Sequence, residues 1–194
     1  DPESLRIRQA WTSLPEALVY FDLLDANNQA IEKPQAQQFT LTIGSSSATV
    51  GQVEPFEQTN EGAAYVLLVD ILKSLKPEQF ARVRTALKGW IQALTEKDRV
   101  AIVTFGKEVK RIHDFTGDKE SLQKTVNTLA PTDNLTQLHQ GFMRALEMGK
   151  RADANLPHYR VVVTMSDGQD DFPGGVTAPE VLDRLKEDRV PIYT

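Results

Sequence analysis

The sequence predicts an α/β protein whose mostly parallel sheet is flanked by helices, preceded by a small antiparallel β segment. Three observations carry that expectation. The runs "AAYVLLVD", "RVAIVTF" and "YRVVVTM" are apolar almost throughout, the pattern of strands covered on both faces. Stretches with apolar residues three and four apart lie between them, which is the strand and helix alternation of a parallel sheet. Before about residue 60 the pattern differs: short β-type runs follow one another across turn residues, and nothing helical separates them.

In residues 1–62, "ALVYFDLL", "QFTLTIG" and "SATVGQVEPF" read as strands, and "DANNQ" reads as a turn because Asp and Asn side chains bond their own backbone. A boundary at "EQTNEGAA" makes 63–194 the second domain. There "AAYVLLVD" leads to a helix from about Pro77 to Thr95, with Phe80, Val83, Leu87, Ile91 and Leu94 on one face. Pro77 suits the first turn, where its missing N–H costs nothing. "RVAIVTF" is the next strand and "EVKRIHDFT" an edge strand. Asp118 then caps a helix carrying Leu122, Val126 and Leu129. The loop "APTDNLT" opens a helix through about Lys150, "YRVVVTM" is another buried strand, and "TAPEVLDRLKE" with "VPIYT" supplies a last helix and strand.

At 194 residues, 40% hydrophobic and 25% charged, the chain can bury one sizeable core without covalent staples. A net charge of -5, with basic residues scattered among acids, argues against a nucleic-acid or anionic-membrane surface. The absence of cysteine excludes disulfides, thiolate metal sites and thiol nucleophiles, and leaves the compartment open. No apolar run approaches the roughly 20 residues of a membrane span, so no direct membrane insertion is expected of this segment. The opening "DPESLRIRQ" is neither an initiator Met nor a signal peptide, and the chain reads as a fragment of a longer protein.

In an open parallel sheet, ligands bind beyond the carboxyl ends of the strands. Asp70 and Ser74 follow the first strand, Thr136 lies in the loop before a helix, and Asp167 in "VVVTMSDGQDD" follows the strand ending at Met165. Two carboxylates and two hydroxyls are the oxygen donors a hard dication such as Mg²⁺ prefers. Each residue also has a plainer role open to it. Asp70 can cap a turn, Ser74 and Thr136 can cap helices, and Asp170 and Asp171 read as a solvated acidic loop. His113, His139 and His158 lie in no metal-ligand spacing, and Trp11 and Trp90 read as packing residues.

With these residues in place, the chain from about Ala63 onward resembles a von Willebrand factor type A domain, a Rossmann-like fold with a metal-ion-dependent adhesion site. That family's pattern is D-x-S-x-S after the first strand, a Thr in a distant loop and an Asp after a later strand. Here "DILKS" supplies Asp70 and Ser74, "NLTQLHQGF" supplies Thr136 and "MSDGQDD" supplies Asp167. The departure is Leu72, where the pattern has a metal-ligating serine, so the motif is degenerate. The resemblance implies Mg²⁺ or Mn²⁺ as cofactor, held more weakly for want of one hydroxyl, and a protein partner whose Asp or Glu completes the coordination. It further implies a non-catalytic, bacterial-type interaction module, periplasmic or extracellular, of a membrane-anchored parent such as a type VI secretion-associated serine/threonine kinase. Family members usually continue with more elements after the strand that "VPIYT" matches, so the domain is expected to lack its C-terminal part.

Two rival readings stand beside it. A haloacid-dehalogenase-like phosphatase would use Asp70 as nucleophile and an acid two residues on, but Leu72 cannot shuttle a proton. A metal-independent interaction domain with a relic metal site is the reading that Leu72 favours. Neither a phosphate-binding glycine loop nor a nucleophile elbow follows any strand.

Overall fold

The structure, a computed structural model, describes residues 4–13, 15–74 and 76–194. Two compact units are present, Asp1–Glu61 and Gly62–Thr194.

The first unit holds two antiparallel hairpins. Strand β1 (Ser4–Ser13) pairs with β2 (Glu16–Leu24), with a register shift between Ile7 and Gln9, and β3 (Leu41–Ile43) pairs with β4 (Ser46–Ala48). The turn after β2 forms as its residues dictate: Asp25 Oδ1 accepts from the amides of Asn27 at 2.8 Å and Gln29 at 2.9 Å. Neighbouring residues of β2 each pair with an aromatic ring, Tyr20 with Phe56 and Phe21 with Phe39. Two details differ from the sequence reading. β1 forms although it was not expected, because ladder pairing rather than burial holds it; Leu5 and Ile7 are about half exposed, at 49% and 50%. "SATVGQVEPF" contributes to β4 only through Ser47 and Ala48; Gly51 and Pro55 suit irregular chain, which ends in the 3-10 turn Phe56–Gln58.

The second unit is the α/β fold. Its elements are β5 (Ala63–Asp70), α1 (Pro77–Ala93), β6 (Arg99–Phe105), β7 (Val109–Thr116), α2 (Lys119–Thr128), α3 (Leu138–Gly149), β8 (Tyr159–Met165), α4 (Ala178–Asp188) and β9 (Ile192–Tyr193). The sheet order is β7-β6-β5-β8-β9, parallel except for the edge strand β7, which runs antiparallel to β6.

Why the strands are apolar throughout is visible in β5. Its Leu67 and Val69 join Phe80, Leu87 and Ile91 of α1 and Leu122 and Val126 of α2 in one core cluster. Its Val66 and Leu68 join Ala145, Leu146 and Met148 of α3 in another. Successive side chains point to opposite faces, so a strand with helices on both sides needs apolar residues at every position. Gly141 of α3 lets that helix lie close, since a methyl group there would press on Phe105 and Leu68. Asp118 caps α2, accepting from the amides of Glu120 and Ser121 at 3.0 and 3.1 Å. Ser74 does not cap α1: the Lys76 amide there donates to Gln79 Oε1 at 3.0 Å.

Ile91 is fully buried between α1 and the sheet. Ile91→Ala is therefore expected to cost about 2–5 kcal/mol, the range for removing a buried aliphatic side chain, read as a lower urea midpoint in chemical denaturation.

Candidate functional site

The carboxyl ends of β5, β6 and β8 open onto one face, and the loops there are tied together through backbone bonds. Ile71 carbonyl accepts from the amides of Thr132 and Asp133 at 2.9 and 3.0 Å, and Lys73 amide donates to the Asp133 carbonyl at 2.8 Å. The loop before α3 thus runs alongside the segment after β5, with Leu72 and Asp133 forming a parallel bridge. Asp133 also accepts from Lys107 amide at 2.7 Å. This close approach needs Gly106, because a Cβ there would overlap the Asp133 carboxylate.

Asp70 is the last residue of β5 and only 5% exposed. Its Oδ1 accepts from Leu72 amide at 2.9 Å, and its Oδ2 from Ser166 Oγ at 2.9 Å. Burial pushes its carboxyl above the ordinary carboxylate range. The two hydrogen bonds pull it back, and the charges of Asp167 and Asp171 push it further up. Ser74 Oγ donates to Asp167 Oδ2 at 3.1 Å, so the segment after β5 meets the loop after β8. Ser74 and Asp167 are both exposed.

Thr136 is fully buried. Its amide donates to Asp171 Oδ1 at 2.7 Å, but its hydroxyl has no hydrogen-bond partner. It does not cap α3, whose N-cap is Gln137. Leu72 is buried too, at 7% exposed, and belongs to neither core cluster.

Asp170 and Asp171 correct the sequence reading. They are not a merely solvated loop: Asp170 Oδ2 accepts from His139 amide at 2.8 Å and lies 3.0 Å from its Nδ1, and Asp171 holds Thr136. Together they fasten the loop after β8 to the start of α3, where free amides and the helix dipole favour negative charge. Ser166 and Asp133 were missed as well. Ser166 takes the first position of the T-D-G in which the family's aspartate often lies, and Asp133 is marked only by its place in the loop of Thr136. His113 lies away from this cluster, bonded to Ser121 Oγ at 2.8 Å. Beside the face, Ile71, Lys107, Glu108, Asp133 and Leu135 line a cavity of about 460 Å³.

The profile of the von Willebrand factor type A domain matches residues 66–194. Among solved structures, the chain is similar to proximal thread matrix protein 1 from the mussel byssus, in a form with a zinc-occupied MIDAS motif: 18% identity over 68% of this chain and 37% of that one, TM-score 0.57. It is similar to BatB from Bacteroides thetaiotaomicron, with 15% identity over 68% and 64% of the two chains and TM-score 0.55. It is also similar to the vWF domain of the type V pili tip protein Mfa5 from Porphyromonas gingivalis, with 22% identity over 58% and 40% and TM-score 0.49. The chain thus spans less than two thirds of the length of each. No curated protein matches it.

The residues present fit a hard cation. The Thr136 hydroxyl is buried and unpaired, Asp70 and Asp167 lie close enough for their charges to interact, and among the described residues no Lys or Arg pairs with either. Among the described residues no three His, Cys, Asp or Glu side chains converge as ligands, so a cation here would draw on hydroxyls besides the two carboxylates.

A buried carboxyl with a raised folded value binds its proton more tightly in the folded than in the unfolded chain. Its contribution to stability is therefore lost as pH rises from the ordinary value of 3.8 through the raised one. Asp70→Asn removes that loss. In chelator at pH 7 the variant is expected to melt at a higher temperature than the parent, and to show no gain near pH 3; thermal melts across pH check it.

Proposed function

The chain belongs to the von Willebrand factor type A family through residues 66–194, and from that premise we propose that it is a non-catalytic module that docks a protein partner on the face around Asp70. Asp70, Ser74, Thr136 and Asp167 would hold Mg²⁺ or Mn²⁺, and the cation would offer a coordination position to an Asp or Glu of the partner. The observation that carries this reading is the Thr136 hydroxyl, fully buried with no hydrogen-bond partner in a residue whose amide bonds the Asp171 carboxylate. Buried hydroxyls are almost always satisfied, and a cation is a partner that an unpaired hydroxyl on the face of Asp70 and Asp167 would accept. The zinc-occupied motif of the mussel protein supports the same assignment by likeness of fold.

The neighbouring cavity gives the partner segment a place beside the coordinating carboxylate, with Leu135 and Ile71 as its apolar part. The wider setting we infer, an exported module of a membrane-anchored bacterial protein such as a type VI secretion-associated kinase, rests on resemblance alone. A second reading, docking without metal, is favoured by Leu72, which puts a buried isobutyl group where the family pattern has a ligating hydroxyl. The same leucine leaves Asp70 without an acid two residues on, which removes the proton shuttle of a phosphatase.

Isothermal titration of Mg²⁺ and Mn²⁺ into chelator-stripped protein separates the two readings. Saturable binding that Asp167→Ala abolishes and Leu72→Ser tightens is the expected result. No heat up to millimolar metal, with the fold intact, selects metal-independent docking.

A further inference from the structure

We infer that the cavity beside the cation site selects the partner: an extended acidic segment that sets an apolar side chain against Ile71 and Leu135 and a second acidic group against Lys107. The inference rests on the cation reading above and adds to it what flanks the coordinating carboxylate. Ile71 follows Asp70 and Leu135 precedes Thr136, so the apolar wall of the cavity lies one residue from the candidate ligands on two separate loops. At about 460 Å³ the cavity falls within the roughly 300–1,000 Å³ of sites that take whole ligands, and a leucine or phenylalanine side chain fits inside it. Leu135 is 36% exposed, apolar surface that such a side chain would take out of water.

The charges on the cavity wall narrow the chemistry. Lys110 Nζ lies 2.7 Å from Glu108 Oε2, so those two neutralise each other. Asp133 accepts from Lys107 amide at 2.7 Å on one carboxylate oxygen and from the Thr132 hydroxyl at 2.8 Å on the other. Lys107 is exposed, and among the described residues its ammonium makes no ion pair. Its backbone, by contrast, is held on both sides: the amide by Asp133, the carbonyl by Gln137 Nε2, while Gln137 amide donates to the Gly106 carbonyl at 3.1 Å. The turn that carries Lys107 is therefore fastened to the loop of Leu135 and Thr136, and the lysine keeps its place beside the site. A positive charge so placed favours a carboxylate and disfavours Lys or Arg, which sets partner choice more than raw affinity. The apolar wall adds the second requirement, since pressing a charged side chain against Ile71 and Leu135 costs desolvation without a hydrogen bond in return.

The test is a library of octapeptides with a fixed central Asp and every other position randomised, bound to the whole chain in Mn²⁺ and read as the residue preference at each position. Mn²⁺ titration and thermal melts of the same proteins run alongside. The parent is expected to favour Leu, Ile or Phe at one position and Asp or Glu at another. Lys107→Glu turns the acidic preference into one for Lys or Arg, while the apolar preference and saturable Mn²⁺ binding remain. Lys107→Ala weakens the best parental peptide about 2- to 5-fold, the range for an exposed ion pair. Leu135→Ser removes the apolar preference and keeps the acidic one. A lysine that served only the fold would move Tm and leave the preferences as they are. An acidic preference that survives Lys107→Glu, or a parent that binds Mn²⁺ and shows neither preference, overturns this inference and leaves the cation reading standing. A parent with no saturable Mn²⁺ binding overturns both.

Discussion

Asp70 ends a strand whose other residues are nearly all buried and apolar, and a carboxylate at that depth persists only where protein atoms replace the hydrogen bonds of water. Leu72 amide and Ser166 hydroxyl do so, one from each side. The arrangement still opposes the charge, since burial and the neighbouring Asp167 and Asp171 hold the carboxyl above its ordinary range. A fold optimised for stability alone would place a neutral residue there. Strain of this electrostatic kind concentrates where a ligand relieves it.

The rest of the face is arranged around that carboxylate by the covered sheet. Because α1 and α2 lie on one side of β5 and α3 on the other, the strands can be extended and apolar to their last residue, and their ends deliver three loops to one place. Those loops are not left to side chains alone. Backbone bonds from Ile71 and Lys73 to Thr132 and Asp133, with Asp133 on Lys107 and Asp171 on Thr136, hold each loop to the next. Three separate chain segments are thereby joined into one hydrogen-bonded face.

Much of this was legible in the sequence, for definite reasons. Burial on both faces writes itself as unbroken apolar strands, and helix faces as three- and four-residue spacing, so β5, β6, β8 and α1 stand out. Asp70 and Asp167 stand out together, because two carboxylates at the ends of neighbouring apolar strands are brought to one face, although Asp70 also takes the turn-capping role open to it by accepting from Leu72 amide. What was not legible depends on distance across the fold. Nothing local marks Ser166 as a partner of Asp70, 96 residues away. Asp170 and Asp171 look like a solvated run until the His139 amide of α3 and the Thr136 amide before it meet them. β1 has half-exposed apolar residues and is held by pairing with β2, a property of two segments and not of one. Nor does the bare pattern say whether Thr136 caps a helix; only its unbonded hydroxyl, with Gln137 as the cap, separates those roles.

Leu72 is where a motif read along the chain and a site built in space diverge. A pattern of fixed spacing counts the leucine as one donor lost, but a cation coordinates atoms irrespective of which segment carries them. On the proposed cation reading, Leu72 would withhold one neutral oxygen and leave both carboxylates, which dominate affinity for a hard ion, in place. Its amide still bonds Asp70, a contact that any residue at that position would make. Leu72 is buried outside both core clusters, at the bridge to Asp133 that joins two loops of the face. On the proposed reading, the neutral oxygens a cation would draw on therefore come from separate loops, at Ser74 after β5 and Thr136 before α3.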